Sequence, residues 1–90
     1  MLQMLCMNRL KDYSKWRVIF DANIDMALKA GLHLKNIWRQ EDEPDTVYFL
    51  FDIEDRERAD AFVNDPASAE TGVNAGVIDG WIKYVEPVNK

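Results

Sequence analysis

The sequence predicts an α+β protein built as βαββαβ, on three observations. Thr46–Ile53 reads as a strand that is apolar on both faces: Val47, Phe49, Phe51 and Ile53 alternate with Tyr48, Leu50 and Asp52. Trp16, Ile19, Phe20, Ile24, Ala27 and Ala30 recur at helical spacing. Turn signals then separate four strand-like runs with helical stretches between the first and second and between the third and fourth.

Leu2–Arg9 opens the chain as a strand, with Leu2, Met4, Cys6 and Asn8 on one face and Gln3, Leu5, Met7 and Arg9 on the other. Asp12 has the chemistry of a helix N-cap, because its carboxylate accepts from a free amide of the first turn. The helix is expected over Tyr13–Ala30, closed by Gly31. Leu32–Gln40 follows as a second strand. Leu32, Leu34 and Trp38 share parity there and Ile37 does not, which calls for a bulge. The polar run Glu41–Asp45, with Pro44, reads as a hairpin turn into the third strand. Asp55 caps a second helix over Arg56–Asn64, with Ala59, Phe62 and Val63 turned inward. Pro66 starts a further helical stretch to Asn74 that is poor in large apolar groups. Ile78–Glu86 is the last strand, ended by Pro87.

Ninety residues form one domain, expected over residues 1–90, with a small core. The order implies a ferredoxin-like arrangement, a four-stranded antiparallel sheet with its helices on one face. The other face keeps several large apolar side chains. Burying roughly a few hundred Å² of it, at ~25 cal/mol per Å², stabilises by several kcal/mol. A homodimer through the helix-free sheet face is the simplest cover.

Composition narrows the function classes. The net charge of -5 and the scattered basic residues argue against nucleic acid or an anionic membrane as partner. A single cysteine, Cys6, permits no intrachain disulfide and fits a reducing cytoplasm; buried among apolar residues it is expected to be inert. Met1–Met7 is too short and too soon charged to read as a leader or a span. No metal-spaced His or Cys cluster and no Gly-rich phosphate loop occurs, so no metal site and no cofactor is expected. Glu41, Asp42, Glu43 and Asp45 offer oxygen ligands, but their spacing matches no calcium loop and a solvated hairpin tip accounts for them.

Asp12-Tyr13-Ser14-Lys15-Trp16 with Phe20-Asp21 resembles the first-helix signature of small dimeric α+β-barrel proteins related to the antibiotic biosynthesis monooxygenase group. Gly31, the acidic hairpin with Pro44, Asp55 before Ala61-Phe62, and Asn74-Ala75-Gly76-Val77 extend the likeness over nearly the whole chain. The resemblance implies a homodimer of ferredoxin-like subunits whose sheets enclose a pocket. It implies no single reaction, because the group includes cofactor-free oxygenases, haem-degrading enzymes and cyclases. Met7-Asn8-Arg9-Leu10 is similar to the first strand of the haem-degrading members, in which an Asn acts with a Trp and a haem-binding His. Here Tyr48, Phe49 and Phe51 stand where the Trp is expected, and the second helix has no His, which argues against haem.

The candidate site residues follow from these points. His33 is the sole histidine and a weak candidate for a general base; the plainer assignment is a strand-end histidine facing water. Asn8 is the second weak catalytic candidate; the plainer assignment is a bond to backbone at the strand end. Asn8, Tyr48, Trp81 and Tyr84 are the expected lining of a pocket for a small apolar or aromatic molecule. Oxygenase, isomerase or cyclase chemistry is one expectation for such a pocket. A structural or regulatory dimer without a pocket is the other. Trp16 is expected in the core; Trp38 and Trp81 are expected in packing or at a pocket wall.

Overall fold

The computed structural model describes residues 1–88. Its elements run β1 (Gln3–Leu10), α1 (Tyr13–Lys29), β2 (Leu32–Gln40), β3 (Glu43–Ile53), α2 (Arg56–Val63), α3 (Pro66–Asn74) and β4 (Val77–Val85). The strands form one antiparallel sheet in the order β2-β3-β1-β4, so the βαββαβ, ferredoxin-like arrangement is the one found.

Local chemistry fixes the helix ends. Asp12 accepts from the Ser14 amide at 2.9 Å and starts α1; Asp55 accepts from the Glu57 amide at 2.9 Å and starts α2. Gly31 closes α1 at φ 84°, a left-handed conformation that a side chain disfavours. Asp65 caps α3, and Pro66 occupies its first turn, where the missing amide hydrogen is harmless.

The hairpin between β2 and β3 is tighter than the sequence predicts. Glu43 and Pro44 belong to β3, leaving only Glu41 and Asp42 outside the strands. The ladder shifts register between Arg39 and Gln40, so Pro44 lies in an irregular stretch, the setting in which a strand tolerates proline. Its carbonyl accepts from Arg39 Nε at 2.9 Å. The bulge expected in β2 falls between Leu34 and Asn36; it restores Ile37 to the face of Leu32 and Leu34 and sends Trp38 to the other.

The core lies between the sheet and the helices. Met4, Cys6 and Leu10 from β1 join Val47, Phe49, Phe51 and Ile53 from β3. Trp16 of α1 is 2% exposed, stacks on Phe20 with ring centroids 4.6 Å apart and meets Phe49 at 5.7 Å. Phe49 in turn sets its edge against Phe51 at 5.8 Å. The apolar stripe of α1 and the Ala59, Phe62 and Val63 face of α2 pack here as their spacing predicts.

The opposite face of the sheet carries no helix. Cross-strand register puts Trp38, Tyr48, Met7 and Trp81 in one row across all four strands. Leu50 and Leu5 form the centre of the next row, flanked by Asn36 and Lys83. Trp38 is 44% exposed and Trp81 37%, large values for rings of this size. Arg9 and Asp79 close one end of the face with a two-bond pair at 2.7 and 2.8 Å.

Candidate functional site

A cavity of about 330 Å³ opens on the helix side of the sheet, between α1, the α2–α3 corner and the strands. Its origin is legible in α3. Ala67, Ser68, Ala69 and Thr71 are small, so this helix leaves space over the sheet where larger side chains would fill it. Met4, Cys6, Phe49 and Phe51 form the floor. Phe20, Ile24 and Ala27 of α1 and Phe62 and Val63 of α2 form the walls. Ile82 of β4 lies at the open side and is 47% exposed. The volume is at the small end of the range for ligand pockets.

Polar groups are few and mostly local. Asn8 of β1 projects from the floor and has no hydrogen-bond partner among the described residues, so it does not bond to backbone at the strand end. Gly80, its cross-strand neighbour on β4, makes this placement possible. A Cβ at Gly80 would stand 2.2 Å from the Met7 carbonyl oxygen and 2.6 Å from Asn8 Oδ1. Asn23 donates from Nδ2 to the Ile19 carbonyl at 2.8 Å. Ser68 donates to the Phe62 carbonyl at 2.6 Å, and Thr71 to the Ala67 carbonyl at 2.9 Å.

The other candidates lie elsewhere. Tyr84 faces the helices, but outside the cavity: it donates to Asp60 Oδ1 at 2.5 Å and lies under the Arg56 guanidinium, 4.2 Å from the ring centroid. Burial and that bond push its hydroxyl up to about 12, so it ties β4 to α2 as a neutral phenol. Tyr48 and Trp81 are on the helix-free face, with centroids 6.4 Å apart. Tyr48 donates to Gln40 Oε1 at 2.7 Å. His33 is at the start of β2, half-exposed, with Nε2 bonded to Glu54. That bond lowers the Glu54 carboxyl below its usual range. Of the four expected lining residues the structure brings only Asn8 to the cavity, which lies within one chain rather than in the inter-sheet space that the resemblance implies.

Cys6 is the one nucleophile on the floor among the described residues, and burial pushes its thiol up to about 12 from 9.0. A thiol raised in the folded state binds its proton more tightly there than in the unfolded chain. Its contribution is therefore complete below pH 9 and is lost as pH rises toward 12, with a slope of up to about 1.4 kcal/mol per pH unit. Denaturant titrations at pH 8, 9 and 10 are expected to show this extra loss in the native sequence and to lack it in Cys6→Ala. At pH 8 the native thiol is expected to react with an aromatic disulfide reagent at least about a hundredfold more slowly than the unfolded chain.

No protein-family model and no curated protein matches the sequence. Solved structures do match in shape. A crystal structure of an antibiotic biosynthesis monooxygenase superposes at TM-score 0.72 with 16% identity, covering 99% of this chain and 100% of that one. Protein Atu4242 from Agrobacterium tumefaciens reaches TM-score 0.74 at 14% identity, covering 98% of this chain and 94% of that one. Rv0793 from Mycobacterium tuberculosis gives 0.71 at 12% identity, covering 99% and 96%. No helix among the described residues is long and apolar enough to cross a membrane. Over nearly its whole length, then, this chain shares the ferredoxin-like fold of these solved structures, an antibiotic biosynthesis monooxygenase among them.

Proposed function

We propose that this protein is a homodimer that binds one small, largely apolar molecule in the cavity between helices and sheet of each subunit. The cavity carries this reading: about 330 Å³ of space, floored by Met4, Cys6, Phe49 and Phe51, with the unbonded amide of Asn8 projecting into it. The exposed aromatic row on the opposite face supports the dimer, since a second copy laid on it covers both sets of rings at once. A pair held together for structure alone needs no such cavity, and a well-packed interior leaves few voids of this size.

The proposal is one of binding. The described lining has no histidine, lysine or arginine, its one carboxylate is Asp65, and Cys6 holds its proton. Oxygenase, isomerase or cyclase chemistry in this cavity would rest on reactivity that the ligand itself brings.

Filling the cavity tests the reading. Ala69 lies on its wall in α3 and is exposed, so a larger side chain there leaves the core intact. Calorimetric titration of the native protein with 2-naphthol is expected to show saturable binding. Ala69→Trp is expected to weaken it at least about tenfold, with an unchanged circular dichroism spectrum. Undiminished affinity in the filled variant would move the binding site away from this cavity.

A further inference from the structure

The chemistry left free on the cavity wall selects among apolar molecules. Ser68 Oγ and Thr71 Oγ1 donate their hydroxyl hydrogens to backbone carbonyls of α2 and α3, which leaves each with lone pairs only. Asn23 has one of its amide hydrogens on the Ile19 carbonyl and its oxygen free. Asp65 places an acidic side chain at the same wall, with one oxygen accepting from the Ala67 amide at 2.9 Å.

The start of α3, the one place here where backbone amides could hold an anion, is closed. Pro66 has no amide hydrogen. Ala67 donates to the Asp65 carboxylate, and Ser68 donates to the Asp65 carbonyl at 2.9 Å. Among the described residues no cationic side chain lines the space. Five side chains therefore offer oxygen acceptors, Asn8, Asn23, Asp65, Ser68 and Thr71, against the free amide hydrogens of Asn8 and Asn23 and the weakly donating Cys6 thiol. A ligand carboxylate, sulfonate or phosphate would give up part of its water at this acidic wall with no cation among the described residues to pair it, whereas a hydroxyl or amine of the ligand finds acceptors already in place.

Resting on the pocket reading above, we propose that the ligand is a non-anionic apolar molecule that carries hydrogen-bond donors, such as a hydroxylated or amino-substituted aromatic, and that the wall of α3 discriminates against anions of the same shape.

Three probes of one shape test this by calorimetry on the full chain: 2-naphthol, which donates; 2-methoxynaphthalene, which cannot; and 2-naphthoate, which is an anion. The expected order is 2-naphthol, then 2-methoxynaphthalene several-fold weaker, then 2-naphthoate at least about a hundredfold weaker than 2-naphthol. In Thr71→Val, which keeps the side-chain shape and removes the acceptor, the gap between the first two is expected to narrow while 2-methoxynaphthalene binds as before. Equal affinity for all three, or tighter binding of 2-naphthoate, would overturn the donor rule and leave the pocket standing. Binding of none of them would remove the pocket and the donor rule together.

Discussion

Leu50→Asp is expected to abolish the proposed dimer in sedimentation velocity, leaving a monomer with the helical signal in circular dichroism retained. Leu50 sits at the centre of the helix-free face, opposite Leu5 on β1 and Asn36 on β2. Its side chain points away from the core, so the substitution leaves the interior of the subunit untouched. In a dimer closed over this face, the new carboxylate would be buried against apolar side chains, with the row's own cation, Lys83, two strands away. That weakens association by at least about 3 kcal/mol, more than a hundredfold in Kd. Asn36→Asp serves as the control: at the neighbouring position on the exposed β2 edge it is expected to weaken the dimer far less. A Leu50→Asp protein that sediments as an unchanged, folded dimer would exclude this face as the interface.

The largest loss of stability is expected for Trp16→Ala. Trp16 is buried under α1 and touches three other rings, those of Tyr13, Phe20 and Phe49. Removing an indole from such a site costs about 3–5 kcal/mol, because the transfer energy is lost and the void does not fully collapse. In a chain of this size each 1 kcal/mol moves Tm by about 4–8 °C, so a fall of more than about 12 °C is expected by calorimetry. Trp16→Phe retains most of the buried area and is expected to lose roughly half as much. A fall of less than a few degrees for the alanine variant would place the core elsewhere.

The order of elements was readable because each depends on local chemistry. Asp12 and Asp55 announce their helices, Gly31 stops the first, and the period of the α1 stripe selects the buried face. Pro44 misled because a proline after three acidic residues has every mark of a turn. Its place in β3 depends on the register of Arg39 and Gln40, a pairing between strands that no local pattern encodes. For the third strand both faces carry large apolar groups, so alternation alone does not decide which of Val47 or Tyr48 meets the helices; contact of Phe49 with Trp16 and Phe20 decides it.

The cavity was less legible than the fold. Asn8 was found from the first strand, but Asn23, Ser68 and Thr71 were not, because they carry no motif and come together only when α3 crosses the sheet. The signal available was a negative one: a helix of small residues, Pro66–Asn74, beside strands of large ones. Such a mismatch in volume marks a place where packing is incomplete. Tyr48 and Trp81 drew attention as aromatic rings, yet ring chemistry does not report which side of a strand it occupies.

The two outer strands limit how copies of this chain can add to one another. β4 has a bulge at Ile78, no side chain at Gly80 and Pro87 just beyond its end; β2 has its own bulge at Lys35. An irregular rim of this kind is a poor template for another strand, so growth by edge addition into ribbons or filaments is disfavoured. In the proposed pair, sheet faces rather than strand edges meet, and a twofold axis closes the assembly at two copies.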